Sequence, residues 1–110
     1  MKGEVYLTKQ GQYAFVYNQG GSWVSNLLVM KAVPNELDIS RYGFSVSKQL
    51  GKAVVRNRTK RLLREVLRAK KLKPGWDMIF IARRPAADAQ YRELEKTVKD
   101  LLSRARILAE

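Results

Sequence analysis

The sequence predicts one α+β domain whose elements run helix, strands, helix, strand, helix. Three observations carry that reading. The chain has 110 residues, the length of a single domain spanning 1–110, with no room for a second one carrying a separate activity. Its hydrophobic fraction of 45% is ordinary for a chain that buries a core, so its excess charge is not a mark of disorder. The apolar pattern also changes period along the chain. Residues 41–47 alternate, residues 52–70 take helical spacing, and residues 76–82 are almost continuously apolar.

Taken in order, residues 8–18 read as a short helix, with Thr8 as its cap and Gly20-Gly21 as its end. Gly11 weakens that helix by roughly 1 kcal/mol relative to alanine. Residues 23–33 read as strand, in two pieces if broken near Ser25-Asn26, and Pro34 to Asp38 form a turn. In the next strand Tyr42, Phe44 and Val46 face one way, and Arg41, Gly43, Ser45 and Ser47 the other. The short turn before it suggests an antiparallel pair with the preceding strand.

Residues 52–70 form the central helix. Val55, Thr59, Leu62, Leu63 and Val66 fall on one side, while Arg56, Lys60, Arg64 and Arg68 make a stripe at i, i+4 spacing on roughly the opposite side. Asn57 and Arg61 lie beside the stripe, and Arg58 lies nearer the apolar edge. Lys73-Pro74-Gly75 stops the helix, and Trp76 to Ala82 reads as a buried central strand. Asp88 caps a last helix whose stripe Tyr91, Leu94, Val98, Leu101, Ala105 and Leu108 faces the core. There is no internal repeat, linker or low-complexity tract.

The formal charge is +12, from 22 Lys and Arg against 10 Asp and Glu, with no histidine. It is unevenly spread. Residues 48–73 hold eleven basic side chains and one acid, Glu65, for a net of +10. The other 84 residues are nearly balanced at +2. A field this concentrated calls for a polyanion: nucleic acid or an anionic membrane. Without cysteine or histidine there is no disulfide, thiolate nucleophile, triad base or imidazole metal ligand. The start Met1-Lys2-Gly3-Glu4 shows no apolar stretch, and the apolar runs are too short to cross a bilayer, so a cytoplasmic protein is expected.

Four candidate sites follow. An ordinary solvated helix face alternates charge sign; this one repeats like charges at i, i+4, which destabilises an isolated helix, so the stripe is expected to meet a partner. Five of the seven basic residues from Lys52 to Arg68 are Arg, whose fork matches phosphate, and the apolar face is needed for the core and not for lipid. Tyr13 and Tyr17 share one face of the first helix, with Phe15 on another; packing on the sheet and stacking on unpaired bases both remain open. The carboxylates Glu93, Glu95 and Asp100 interleave with Arg92, Lys96 and Lys99 as surface pairs, and no carboxylate dyad suggests protein-borne catalysis or a metal site. Gly51 before the central helix reads as a tight turn more readily than as a phosphate cradle.

The run Tyr42-Gly43-Phe44-Ser45-Val46-Ser47-Lys48-Gln49-Leu50-Gly51-Lys52-Ala53-Val54-Val55-Arg56-Asn57-Arg58-Thr59-Lys60-Arg61-Leu62-Leu63-Arg64-Glu65 closely resembles the signature of the protein subunit of bacterial ribonuclease P. The exit Ala82-Arg83-Arg84-Pro85-Ala86, the length, the basicity and the element order resemble that family too. The resemblance implies an α/β sandwich of order αβββαβα, with an unusual left-handed crossover through the basic helix. It implies binding to a catalytic RNA and Mg²⁺-dependent removal of the 5′ leader of precursor tRNA, with the RNA carrying the catalysis and most of the Mg²⁺. No protein catalytic residue, no obligatory protein partner and no membrane is expected.

On that reading Lys48, Lys52, Arg56, Asn57, Arg58, Lys60, Arg61, Arg64 and Arg68 meet the RNA subunit, while Tyr13 and Tyr17 line a cleft for the single-stranded leader. Tyr stands at both positions where the family usually has Phe, no basic residue lies between them, and the arm before Thr8 carries only Lys2. The alternative is a ribosomal or general RNA- or DNA-binding module of similar fold with no processing role.

Overall fold

The computed structural model describes residues 5–109. Helix α1 (Gln10–Gln19) is followed by strands β1 (Gly21–Val24), β2 (Leu28–Pro34) and β3 (Arg41–Ser45). Helix α2 (Ala53–Arg68) leads into β4 (Trp76–Ala82), and α3 (Tyr91–Arg104) completes the order αβββαβα. Short 3₁₀ turns at Lys48–Leu50 and Arg84–Asp88 precede α2 and follow β4. The first strand segment does break near Ser25: the Leu28 N–H donates to Ser25 Oγ at 3.1 Å, closing the β1–β2 hairpin. The weakly basic arm at Lys2 lies outside the described residues.

The sheet order is β1-β2-β4-β3. The expected antiparallel pairing of β3 with the strand before it does not occur. Instead β4 enters between them, antiparallel to β2 and parallel to β3. The reason lies in β4 itself, which is buried from Asp77 to Phe80 and satisfies both backbone edges only as an inner strand. Parallel neighbours β3 and β4 are joined through α2, consistent with the crossover the resemblance implies.

Side chains alternate between two layers. Leu28, Met30, Met78 and Phe80 pack under α2 and α3 against Leu63, Val66, Leu94 and Leu101. On the other face Val33 and Ile79 pack against Val16 of α1 and Leu7. Arg41 and Asp77, paired in register across β3 and β4, also lie on that face. Arg41 donates Nε and Nη2 to the two Asp77 oxygens at 2.9 and 2.7 Å, and Asn35 Nδ2 adds a third bond at 2.8 Å.

Both expected helix caps are replaced. Thr8 does not cap α1; the Gln12 side chain reaches back to accept the Thr8 and Lys9 N–H groups at 2.8 and 2.9 Å. Asp88 ends the 3₁₀ turn, and α3 starts after Gln90, whose N–H donates to Glu93 Oε1 at 2.9 Å. In each case a side chain inside the first turn satisfies a donor outside it, the reverse half of a capping box. Of the α3 stripe, Leu94, Val98 and Leu101 are buried. Tyr91 is exposed at the helix start, and Leu108 lies past the helix end, bridged to Leu72.

Candidate nucleic-acid interface

Helix α2 sits on the sheet through Thr59, Leu63, Val66 and Leu67, all buried, with the Thr59 hydroxyl bonded back to the Val55 carbonyl at 3.1 Å. The basic stripe is not opposite this face throughout. Four residues advance a helix by about 400°, so an i, i+4 row drifts about 40° per step. Of the stripe, Arg56 and Lys60 therefore lie half-buried on the flank of the helix, and only Arg64 and Arg68 stand in solvent. The outward centre of the helix holds Asn57 and Arg61, together with Val54 at 73% exposure.

The basic side chains are not equivalent. Lys48, Lys52, Lys60, Arg61, Arg64 and Arg68 meet no carboxylate among the described residues. Arg56 Nε donates to the Gly51 carbonyl at 3.2 Å and ties the helix to the turn before it. Gly51 has φ +147°, a conformation that favours glycine, and this supports the tight-turn reading. Arg58 is half-buried: its Nη2 donates to the Ala89 carbonyl at 3.2 Å and its Nη1 to Ala87 at 3.5 Å. Lys70, just past the helix, pairs with Glu95 of α3 and holds that carboxyl below its ordinary range.

Tyr13 and Tyr17 follow different courses. The Tyr13 ring is half-buried over Gly43, where a Cβ would come within 2.2 Å of its hydroxyl oxygen. That hydroxyl donates to the Leu7 carbonyl at 3.5 Å, and burial raises its pKa above the ordinary phenol value. Tyr17 and Phe15 stay exposed at 38% and 52%, and Val16 is the α1 residue that fills the core.

A groove of about 350 Å³ connects the two candidate surfaces. Tyr13, Gly43 and Phe44 line one part of it, Lys60 and Arg64 another, and Tyr6 of the N-terminal arm a third. Tyr6 bridges to Tyr42, and the Leu7 N–H donates to the Tyr42 carbonyl at 3.0 Å, so the arm borders the outer edge of β3. Sequence reasoning missed Tyr6, Gly43 and Phe44 here. The alternation of β3 was legible, but nothing in it signals that this strand lies at an edge.

The carboxylates do not converge. Asp77 is held by Arg41 and Asn35, and Asp100 pairs with Arg104 at 3.3 Å within α3. Among the described residues no three Asp or Glu side chains come together as metal ligands.

This fold and surface define a class: a small α/β domain whose cationic helix adjoins an aromatic groove, a surface suited to a polyanion. The family model for ribonuclease P matches residues 1–106. The chain is 52% identical over 109 residues to the ribonuclease P protein component of Dehalococcoides mccartyi, covering 99% of this chain and 91% of that protein. It is 41% identical to the corresponding component of Clostridioides difficile, with 92% and 91% covered. A Staphylococcus aureus RNase P protein mutant with defective mRNA degradation activity superposes with TM-score 0.91 at 30% identity, over 98% of this chain and 93% of that one. The RNase P protein of Thermotoga maritima superposes with TM-score 0.83 at 27% identity, over 90% and 96%. The chain belongs to the bacterial ribonuclease P protein family, the protein components of an endoribonuclease that processes tRNA precursors. No helix among the described residues is long and apolar enough to cross a membrane.

Proposed function

We propose that this chain docks on the catalytic RNA of ribonuclease P through α2 and holds the 5′ leader of precursor tRNA in the adjoining groove. It thereby supports Mg²⁺-dependent endonucleolytic release of the leader. The observation that carries this reading is the continuity of the two surfaces: Lys60 and Arg64 of the uncompensated basic helix line the same groove as Tyr13. Arg61, Arg64 and Arg68, with Lys48 and Lys52 before the helix, supply forks and point charges for RNA phosphates. Asn57 offers a directed hydrogen bond from the outward face. Tyr17 offers an exposed ring on which an unpaired base can stack, worth roughly 1–3 kcal/mol.

The catalytic groups and the Mg²⁺ belong to the RNA in this reading, and the protein contributes affinity and orientation. Titrating the RNA subunit with the chain at several salt concentrations tests the docking. Affinity falls steeply as salt rises, because phosphate contacts release counterions. Arg61→Ala weakens assembly and flattens the salt dependence by roughly one phosphate contact. Assembly unchanged by Arg61→Ala at physiological salt would remove the proposed interface.

A further inference from the structure

Arg58 carries the same side chain as its neighbours on α2, yet it is placed differently. Its fork is turned sideways, onto the carbonyls of Ala87 and Ala89 in the segment that leaves β4. That segment is anchored by the buried side chains Ala86 and Ala89, and its turn is closed by the Ala86 N–H bonded to the Arg83 carbonyl at 2.8 Å. Its first residue, Arg84, is exposed and has no ion-pair partner among the described residues. A concavity bordered by Gln49, Leu50, Val55 and Arg84 lies between this turn and the start of α2, with Asp88 on its rim.

We propose that Arg58 is a positioning residue: it braces the Arg84–Asp88 turn against α2, so that Arg84 joins the RNA-facing surface beside Lys48 and Lys52. The inference rests on the RNA-docking reading of α2. A guanidinium suits the task because two of its donors reach two carbonyls at once in a fixed plane, whereas an ammonium is a point donor on a flexible stem. Neither carbonyl accepts a backbone N–H among the described residues, so the Arg58 fork is what ties the exit of the turn to α2, and losing it changes the direction of Arg84. Asp88 faces the same hollow and keeps phosphate on its Arg84 side.

Salt-dependent binding of the full chain to the catalytic RNA tests this through four variants. Arg84→Ala changes an exposed side chain and lowers the salt slope by about one, with roughly three- to tenfold weaker binding. Arg58→Lys keeps the charge but loses the second carbonyl, and it reproduces that loss. The double variant is no weaker than either single one, and the amides of residues 86–89 exchange faster in Arg58→Lys. Three results would each overturn the proposal: an unchanged slope in Arg84→Ala, wild-type binding in Arg58→Lys, or additive losses in the double variant. Arg61→Ala is the control. If that variant also binds as the wild type does, the docking reading fails; if it weakens while the Arg58 results go the other way, only the brace fails.

Discussion

Tyr13 and Gly43 are one unit. The phenol end of Tyr13 occupies the space a Cβ at residue 43 would need, and 2.2 Å is far inside any real carbon–oxygen contact. Gly43→Ala therefore forces the ring or the strand to shift, at about 1–3 kcal/mol, and lowers the melting temperature. Adding Tyr13→Ala recovers part of that loss, whereas independent sites would give additive losses in thermal unfolding. Tyr42 behaves differently. Burial, and then the neighbouring Tyr6, push its phenol up from 10.0 to about 12. The folded chain thus holds the proton more tightly than the unfolded chain. The Tyr42 contribution is complete below pH 10 and is lost as pH rises toward about 12. Tyr42→Phe flattens the alkaline limb of denaturant-measured stability; an unaltered limb would assign it to other groups. At this scale the sequence was legible by type and not by contact. Tyr13 was recognisable as a groove residue, but its seat on Gly43 joins α1 to β3, elements far apart in the chain. Arg58 reads by type as a phosphate ligand, while its bonds to the Ala87 and Ala89 carbonyls leave no trace in residue identity.

Among the elements, α2 was the most legible, since the switch to helical period and the apolar set Val55, Thr59, Leu63 and Val66 fix its buried side. Its basic stripe was read too simply, because the 40° drift per four residues carries Arg56 and Lys60 onto the flank. That drift is what brings Lys60 and Arg64 into the groove. The β3–β4 pairing was not read from the strands themselves. Its register places Arg41 opposite Asp77, a bidentate pair with Asp77 only 4% exposed. Asp77→Ala leaves the Arg41 guanidinium and Asn35 without their acceptor. The cost is on the order of 3 kcal/mol, at the lower end for a broken buried pair because Arg41 keeps some contact with water. Chemical denaturation of the variant checks this, and a loss below about 0.5 kcal/mol would show the pair to be incidental. Helix ends were readable only to within a turn, because Gln12 and Glu93 cap from inside α1 and α3 and make Thr8 and Asp88 dispensable.

Over the whole molecule, the sequence located the charge but not the shape that uses it. A net of +10 in residues 48–73 was visible by counting. The sheet order β1-β2-β4-β3 was not, because placing β4 between β2 and β3 is a nonlocal choice that no local pattern encodes. That order puts β3 at an edge, sets the arm at Tyr6 and Leu7 beside it, and leaves the groove open between α1 and α2. In the proposed function this surface assembles with a catalytic RNA and helps it to process precursor tRNA. The most direct measurement is cleavage of precursor tRNA by a bacterial ribonuclease P RNA at a Mg²⁺ concentration too low for the RNA alone. The wild-type chain is expected to restore cleavage at the mature 5′ end, and Arg61→Ala to require more protein to do so. Cleavage that stays at the RNA-only rate with saturating wild-type chain would contradict the proposed function.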